Sequence, residues 1–268
     1  MAEHSDLADE ADPFALGARQ NAEPPPAWAA RALIPDELVE PDLLRDHEDL
    51  LFRLHRLLRP ATYLEVGVNE GHSLRWALDG TVAVAVDPAL DVLDLPPAPV
   101  GTTFLALPSD DAFAHPALAT TLGSSIDLAF VDGLHLVEQV LRDVANVEAL
   151  SHPGTVLVLD DPLPPEPAAA ERERSTLLWT GDVWRAVVVL RRRRPDLQVT
   201  TLSVPPSGAT IITSLDRTST VLTERHDELV AEVLELDWAT DGLGHEDEAL
   251  GLRAGTWSEV LGLLPTPS

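Results

Sequence analysis

The chain has 268 residues, of which 45% are hydrophobic, enough for one large α/β domain with appendages and a sizeable core. It contains no cysteine, which excludes disulfides, thiolate metal ligands and a cysteine nucleophile. All 18 basic residues are arginine and the formal net charge is −27, a balance that repels nucleic acid and anionic membranes.

Residues 1–35 read as a flexible arm, with Pro24-Pro25-Pro26 in its polar, Ala/Pro-rich stretch. Met1 is followed by acidic residues with no basic or apolar leader, so no signal peptide is expected. The longest apolar runs, such as Val156 to Leu159, are too short to span a bilayer, and a cytoplasmic protein is expected. Leu43, Leu44, Leu50, Leu51, Leu54, Leu57 and Leu58 recur at helical spacing, and Pro60 ends the run, which predicts a helix over 42–58. From residue 62 strands and helices alternate: strand 62–67, helix 71–78, strand 82–87, a short strand at 103–107, a helix near 110–121, strand 126–131, helix 135–150 and strand 155–160. Such alternation predicts a doubly wound, mostly parallel sheet with helices on both faces. A Pro-rich insertion at 162–178 follows, then helix 182–194, whose Arg191 to Arg194 read as a solvated end complementing the helix dipole. Strands 197–204 and 209–214 flank Pro205-Pro206-Ser207-Gly208 as a terminal hairpin. The expected organisation is an arm at 1–35, an α/β domain with its leading helix at 36–218, and an acidic helical tail at 219–268.

The segment Tyr63 to Ser73 reads as a buried strand, a glycine turn and the start of a helix. In doubly wound folds such a loop holds nucleotide-like ligands. Its Gly67-x-x-x-Gly71 spacing is neither a dinucleotide fingerprint nor a phosphate loop. The acidic Glu65 and Glu70 disfavour a pyrophosphate, so a cationic or uncharged nucleoside fits better, and S-adenosylmethionine carries a sulfonium.

Three predicted strands end in acids. Asp87 ends the second, where an acid accepts hydrogen bonds from ribose hydroxyls. Asp132 ends the fourth, and Asp160 and Asp161 end the fifth. Converging at one crevice, Asp132, Asp160 and Asp161 are hard oxygen ligands suited to Mg²⁺; the alternative is that each caps the helix after it. His135, three residues beyond Asp132, is placed to act as a general base titrating near pH 6 to 7, against the alternative of a capping histidine. Ser109 and Asp110 follow the third strand, where an adenine ring would lie, with Asp110 as acceptor for its amino group or simply a helix cap. Trp179 and Trp184 beside the insertion are either a substrate wall or core.

Together, Glu65-x-Gly67-x-x-x-Gly71-x-Ser73, the acid ending strand two, Val131-Asp132-Gly133-x-His135 and Leu159-Asp160-Asp161 resemble the class I S-adenosylmethionine-dependent methyltransferases. Within them the pattern is most similar to the metal-dependent small-molecule O-methyltransferases of the macrocin and mycinamicin sugar type, over about residues 60–215. The resemblance implies a seven-stranded sheet with a reversed final hairpin. It implies a cofactor site at Glu65, Gly67, Gly71, Ser73, Asp87, Ser109 and Asp110, with Mg²⁺ on Asp132, Asp160 and Asp161 and His135 as base. Family members often carry an aromatic residue after the histidine, where this chain has Val137 before Glu138.

The expected function is methyl transfer from S-adenosylmethionine to a hydroxyl of a small molecule, a sugar or natural product, assisted by Mg²⁺. Neither nucleic acid nor membrane is expected as a partner, and self-association is left open. Two alternatives remain at this point: a metal-independent methyltransferase acting on another atom, and a catalytically silent nucleoside-binding module.

Overall fold

The computed structural model describes residues 42–90, 98–123 and 125–265. The expected arm at 1–35 lies outside the described residues. Helix α1 (His47–Leu58) begins where the Asp46 side chain accepts from the Asp49 amide, and Arg59 ends it in a left-handed conformation just before Pro60. Its Leu50, Leu51 and Leu54 are buried against the sheet.

The parallel strands are β1 (Thr62–Val66), β2 (Val82–Val86), β3 (Thr103–Leu105), β4 (Leu128–Val131) and β5 (Val156–Asp160). Their near-continuous apolar runs reflect burial on both faces. Tyr63 turns to one side with Ala83, Ala85, Phe130 and Val158. Leu64 and Val66 turn to the other with Val84, Val131 and Leu159.

Helices α2 (Ser109–Ala114), α3 (Pro116–Leu122), α4 (Val137–Ala149) and α5 (Val183–Arg193) connect and cover the strands. The hairpin β6 (Gln198–Ser203) and β7 (Ala209–Thr213) inserts β7 antiparallel beside β5. The strand order is β3-β2-β1-β4-β5-β7-β6-β8, where β8 (Arg253–Ala254) is a two-residue addition parallel to β6. The sheet therefore has eight strands, one more than the seven expected; the extra pairing needs a distant segment of tail, which no local pattern reveals.

Two predicted helices differ. Over 71–78 the structure has only a 3₁₀ turn at Leu74–Trp76, because the loop that begins at Gly67 uses up the residues a helix would need. The helix near 110–121 is broken at Pro116, which starts a new helix at its first position.

The tail holds α6 (Val221–Glu224), α7 (His226–Leu234), α8 (Glu246–Ala249) and α9 (Trp257–Leu263). It packs on both sides of the sheet: Leu229 and Val233 join the core on the α4 and α5 side, and Val260 joins the core on the α1 side. The Leu44 amide donates to the Gly255 carbonyl at 2.9 Å and the Trp257 amide to the Asp42 carbonyl at 2.6 Å, tying the start of the described chain to its end. Arg194 departs from the solvated helix end expected of its run. It is 2% exposed and grips Glu148 through two bonds of 2.7 and 2.6 Å. No helix among the described residues is long and apolar enough to cross a membrane.

The chain runs outward from β1 through β2 to β3, then returns to build β4 and β5 on the other side. Reversals of this kind open a crevice at the carboxyl ends of the strands, where ligands of such sheets bind.

Candidate active site

A cavity of about 670 Å³ opens at that reversal, lined on one side by Gly67, Asn69, Asp87, Ser109 and Asp110. Gly67 is required by geometry: its φ is +86°, and a β-carbon there would lie 1.9 Å from the Asp132 carbonyl oxygen. The Asp132 amide also donates to the Val66 carbonyl at 2.8 Å, so the ends of β1 and β4 meet over this glycine.

Asp87 shapes the loop itself. One carboxylate oxygen accepts from the Val68 and Asn69 amides, both at 3.0 Å, and the other from the Ala89 amide at 2.8 Å. Glu65, Gly71 and Ser73 stand behind the loop and do not line the cavity. Glu65 is fully buried and accepts from the Tyr63 hydroxyl at 2.6 Å and the Ser73 hydroxyl at 2.7 Å. Burial pushes its pKa up to about 7, with the two hydroxyls holding the rise back. Glu65 thus turns away from the cavity to two hydroxyls, and it braces the loop from behind where the sequence suggested repulsion of a pyrophosphate.

Ser109 and Asp110 are held by Gln139 of α4, whose amide nitrogen lies 3.0 Å from each, and Arg142 binds the other Asp110 oxygen at 3.1 Å.

The opposite wall carries the acids. Asp132, His135 and Asp161 each offer a ligand atom within 4.8 Å of the others. His135 Nε2 lies 3.2 Å from Asp132 Oδ1. Its Nδ1 lies 3.0 Å from the Trp179 carbonyl and 3.3 Å from Asp161 Oδ2. Burial resists charge on this ring, but the hydrogen bond and charge of Asp132, with the charge of Asp161, outweigh it and push the pKa up to about 9. That is above the near-neutral titration expected from sequence. Burial, then the neighbouring carboxylates, raise Asp161, which takes a positive φ of 62° at the end of β5.

Asp160 is not within the tight group. Its Oδ2 lies 3.1 Å from His47 Nδ1, while its buried Oδ1 has no hydrogen-bond partner among the described residues. An orphaned carboxylate oxygen beside Asp132 and Asp161 is what a hard divalent cation satisfies, so the donor set fits Mg²⁺.

The Pro-rich insertion closes over this wall. Arg172 forks onto Glu138 at 2.6 and 3.1 Å and reaches Asp182 at 2.5 Å. Asp182 accepts from the Val137 amide at 2.7 Å, capping α4 in place of Leu136, which has no capping side chain. Gly181 packs so close that a β-carbon would sit 2.0 Å from the His135 carbonyl oxygen. Trp179 stacks on the His135 ring, centroids 5.1 Å apart and planes at 22°. Of the two tryptophans left open from sequence as substrate wall or core, Trp184 is core: it is 1% exposed and packs edge-on against Trp238.

Sequence reasoning missed His47 and Gln139. His47 sits at the start of α1, within ring distance of Phe130 at 5.8 Å, and reaches the crevice because α1 packs under the ends of β4 and β5. Burial opposes its charge, yet Asp160 and Asp132 push its pKa up to about 10. No periodicity marks such a residue. Gln139 was findable: it lies four residues after His135, on the helix that borders the crevice.

Residues 64–162 match a family model described as a methyltransferase domain, a span that runs from β1 to just past Asp161. The crystal structure of cofactor-bound Rv0187 from MTB is similar, with a TM-score of 0.53 and 19% identity over 79% of this chain and 94% of that one. The O-methyltransferase from Bacillus cereus, solved in complex with SAH, gives a TM-score of 0.46 and 17% identity over 78% of this chain and 94% of that one. No curated protein matches the chain. At such identities likeness between structures speaks to fold, and the first of the two carries it. Residues 64–162 are thus similar to a methyltransferase domain, and the sheet order and the likeness to the first structure give the chain a methyltransferase-like fold.

Proposed function

We propose that the protein binds S-adenosylmethionine against Gly67, Asp87, Ser109 and Asp110 and methylates a hydroxyl of a small molecule held at Asp132, His135, Asp160 and Asp161, with a divalent cation, Mg²⁺, on the three acids. The observation that carries this reading is the gathering of Asp132, His135 and Asp161 within 4.8 Å, across one cavity from the glycine loop. When bound, S-adenosylmethionine supplies an electrophilic methyl group on a sulfonium, and the cation supplies a Lewis acid that lowers the pKa of a nearby hydroxyl.

The chain's own part is alignment and proton handling. Asp87 fixes the loop through the Val68 and Asn69 amides and its own turn through that of Ala89. Gln139 fixes Ser109 and Asp110. Catalysis then comes chiefly from holding acceptor and donor in line. His135, oriented by the Trp179 carbonyl, would take the acceptor's proton at Nε2 from its neutral form, which a cation on Asp132 and Asp161 would favour by cancelling the carboxylate charges that otherwise hold the ring protonated. The same reading keeps the protein in the cytoplasm, and the net charge of −27 disfavours nucleic acid and anionic membranes.

The test is transfer of labelled methyl from S-adenosylmethionine over a panel of alcohols. Activity is expected to vanish with chelator and return with Mg²⁺ or Mn²⁺, and Asp161→Asn should lower it. His135→Ala should lower kcat by about 10² to 10⁴ with S-adenosylhomocysteine affinity nearly unchanged.

One observation favours a second reading, metal-independent methyl transfer. His47 meets Asp160 at 3.1 Å and His135 meets Asp132 and Asp161 at 3.2 and 3.3 Å, so two imidazoles can compensate the acids without a cation. Full turnover in excess chelator, with Asp161→Asn unaffected, selects this reading over the first.

A further inference from the structure

We infer that the methyl acceptor is an uncharged alcohol whose hydroxyl is carried next to an apolar body, and that this body lies on a lip formed by Leu134, Leu177, Leu178, Trp179 and Pro206. The inference rests on the hydroxyl-methylating reading above and adds the chemistry of the acceptor.

All five residues line the mouth of the same cavity whose depth holds Asp132, His135 and Asp161. Leu134 is 53% exposed, Leu177 95% and Leu178 37%. A single exposed leucine is ordinary, but three around one cavity mouth form an apolar surface for a ligand to cover. The surface is presented by a secured segment. Arg172 clamps it to Glu138 and Asp182, and Trp179 Nε1 donates to the Glu171 carbonyl at 2.6 Å.

The lip's chemistry argues against two other acceptors. A free sugar has hydroxyls on every side, and each one stripped of water needs a partner. Within the lip the one polar side-chain group is the Trp179 Nε1–H, already given to the Glu171 carbonyl at 2.6 Å, and the one cation beside it, Arg174, offers donors but no acceptor for a sugar's hydroxyl protons. A phosphate-bearing or otherwise anionic acceptor meets an acidic balance, for Asp87, Asp110, Asp132, Asp160 and Asp161 line the cavity against three basic side chains, His47, His135 and Arg174, and both histidines are already paired with the acids. Pockets of this size bind through a mainly apolar wall with a few polar groups that fix orientation, and here the two are segregated, apolar at the mouth and polar at depth.

The test uses matched probes: methyl, butyl and hexyl β-glucoside, which share one set of hydroxyls and differ only in apolar length, with 2-naphthol and glucose 6-phosphate. Each is titrated calorimetrically into the full chain, with and without S-adenosylhomocysteine. Affinity is expected to rise at least tenfold from methyl to hexyl glucoside, 2-naphthol to bind, and glucose 6-phosphate to bind no better than methyl glucoside. Leu177→Ser/Leu178→Ser should flatten the series, and Leu177→Met/Leu178→Met should restore its slope. Both positions are on the surface, so the melting temperature checks that the fold is kept. A flat series in the unaltered protein, an unchanged slope in the serine variant, or tighter binding of the phosphate overturns the inference. Absence of S-adenosylhomocysteine binding refutes the methyltransferase reading instead, while the glucoside series on the free protein still decides the lip.

Discussion

Glu65→Gln is expected to stabilise the protein, and increasingly so as pH rises. Glu65 is fully buried, and its pKa stands at about 7 in the folded chain against an ordinary 4.5. A carboxyl with a raised folded pKa stays neutral in the native state while it ionises in the unfolded one. Between about pH 4.5 and 7 the unfolded state therefore holds fewer protons, and stability falls as pH rises through that window. At about 1.36 kcal/mol per pKa unit, the cost is about 1 kcal/mol at pH 5 and reaches about 3 kcal/mol at pH 8.5. Glutamine has the same shape, titrates nowhere in this range, and can keep hydrogen bonds to the hydroxyls of Tyr63 and Ser73. At about 2–4 °C per kcal/mol for a chain of this size, the melting temperature of the variant should exceed that of the parent by about 6–12 °C at pH 8.5, and by far less at pH 5. All other titrating groups are shared, so the difference between the two melting curves isolates this carboxyl. S-adenosylhomocysteine affinity should change little, because Glu65 does not line the cavity. A difference in melting temperature that stays constant from pH 5 to 8.5 would refute the reasoning.

Three further outcomes are expected. Arg194→Met leaves Glu148 buried without its two charged bonds and should cost about 3–5 kcal/mol in urea unfolding. Gly181→Ala forces a β-carbon to within 2.0 Å of the His135 carbonyl; strain at such a site costs about 1–3 kcal/mol, and displacement of His135 should lower kcat more than it raises KM for the methyl donor. Asp87→Ala strands the Val68 and Asn69 amides of the loop and the Ala89 amide of the next turn and should weaken S-adenosylhomocysteine at least about tenfold by calorimetry, one charge-assisted bond being worth about 1.5–3 kcal/mol.

The strands and their parallel direction were legible because burial on both faces writes itself as apolar runs, from Val82 to Val86 and from Val156 to Asp160. The same runs end in Asp87, Asp132 and Asp160-Asp161, so the acids of the crevice could be named before any fold was known. Glycine at 67 and 71 was equally legible, since both adopt positive φ, at 86° and 70°, which a local turn demands. Short elements were not. The 3₁₀ turn at Leu74–Trp76 and the break at Pro116 depend on a few residues in a context that average spacing blurs.

Local sequence therefore determined which residues form strands, where the chain turns and which acids end the strands, because those depend on neighbours within a few positions. Which acids meet, and what compensates them, only the tertiary structure decided. His47 reaches Asp160 across 113 positions because α1 packs beneath the strand ends. Asp182 caps α4 from 45 positions away, and Arg172 and Gly181 bring Trp179 onto His135. Arg194 looks like part of a solvated basic run until Glu148 meets it in the interior. Charge alone does not reveal burial: a charged side chain goes inside only where the fold has already set its partner, and that partner lies too far along the chain for any local pattern to announce it.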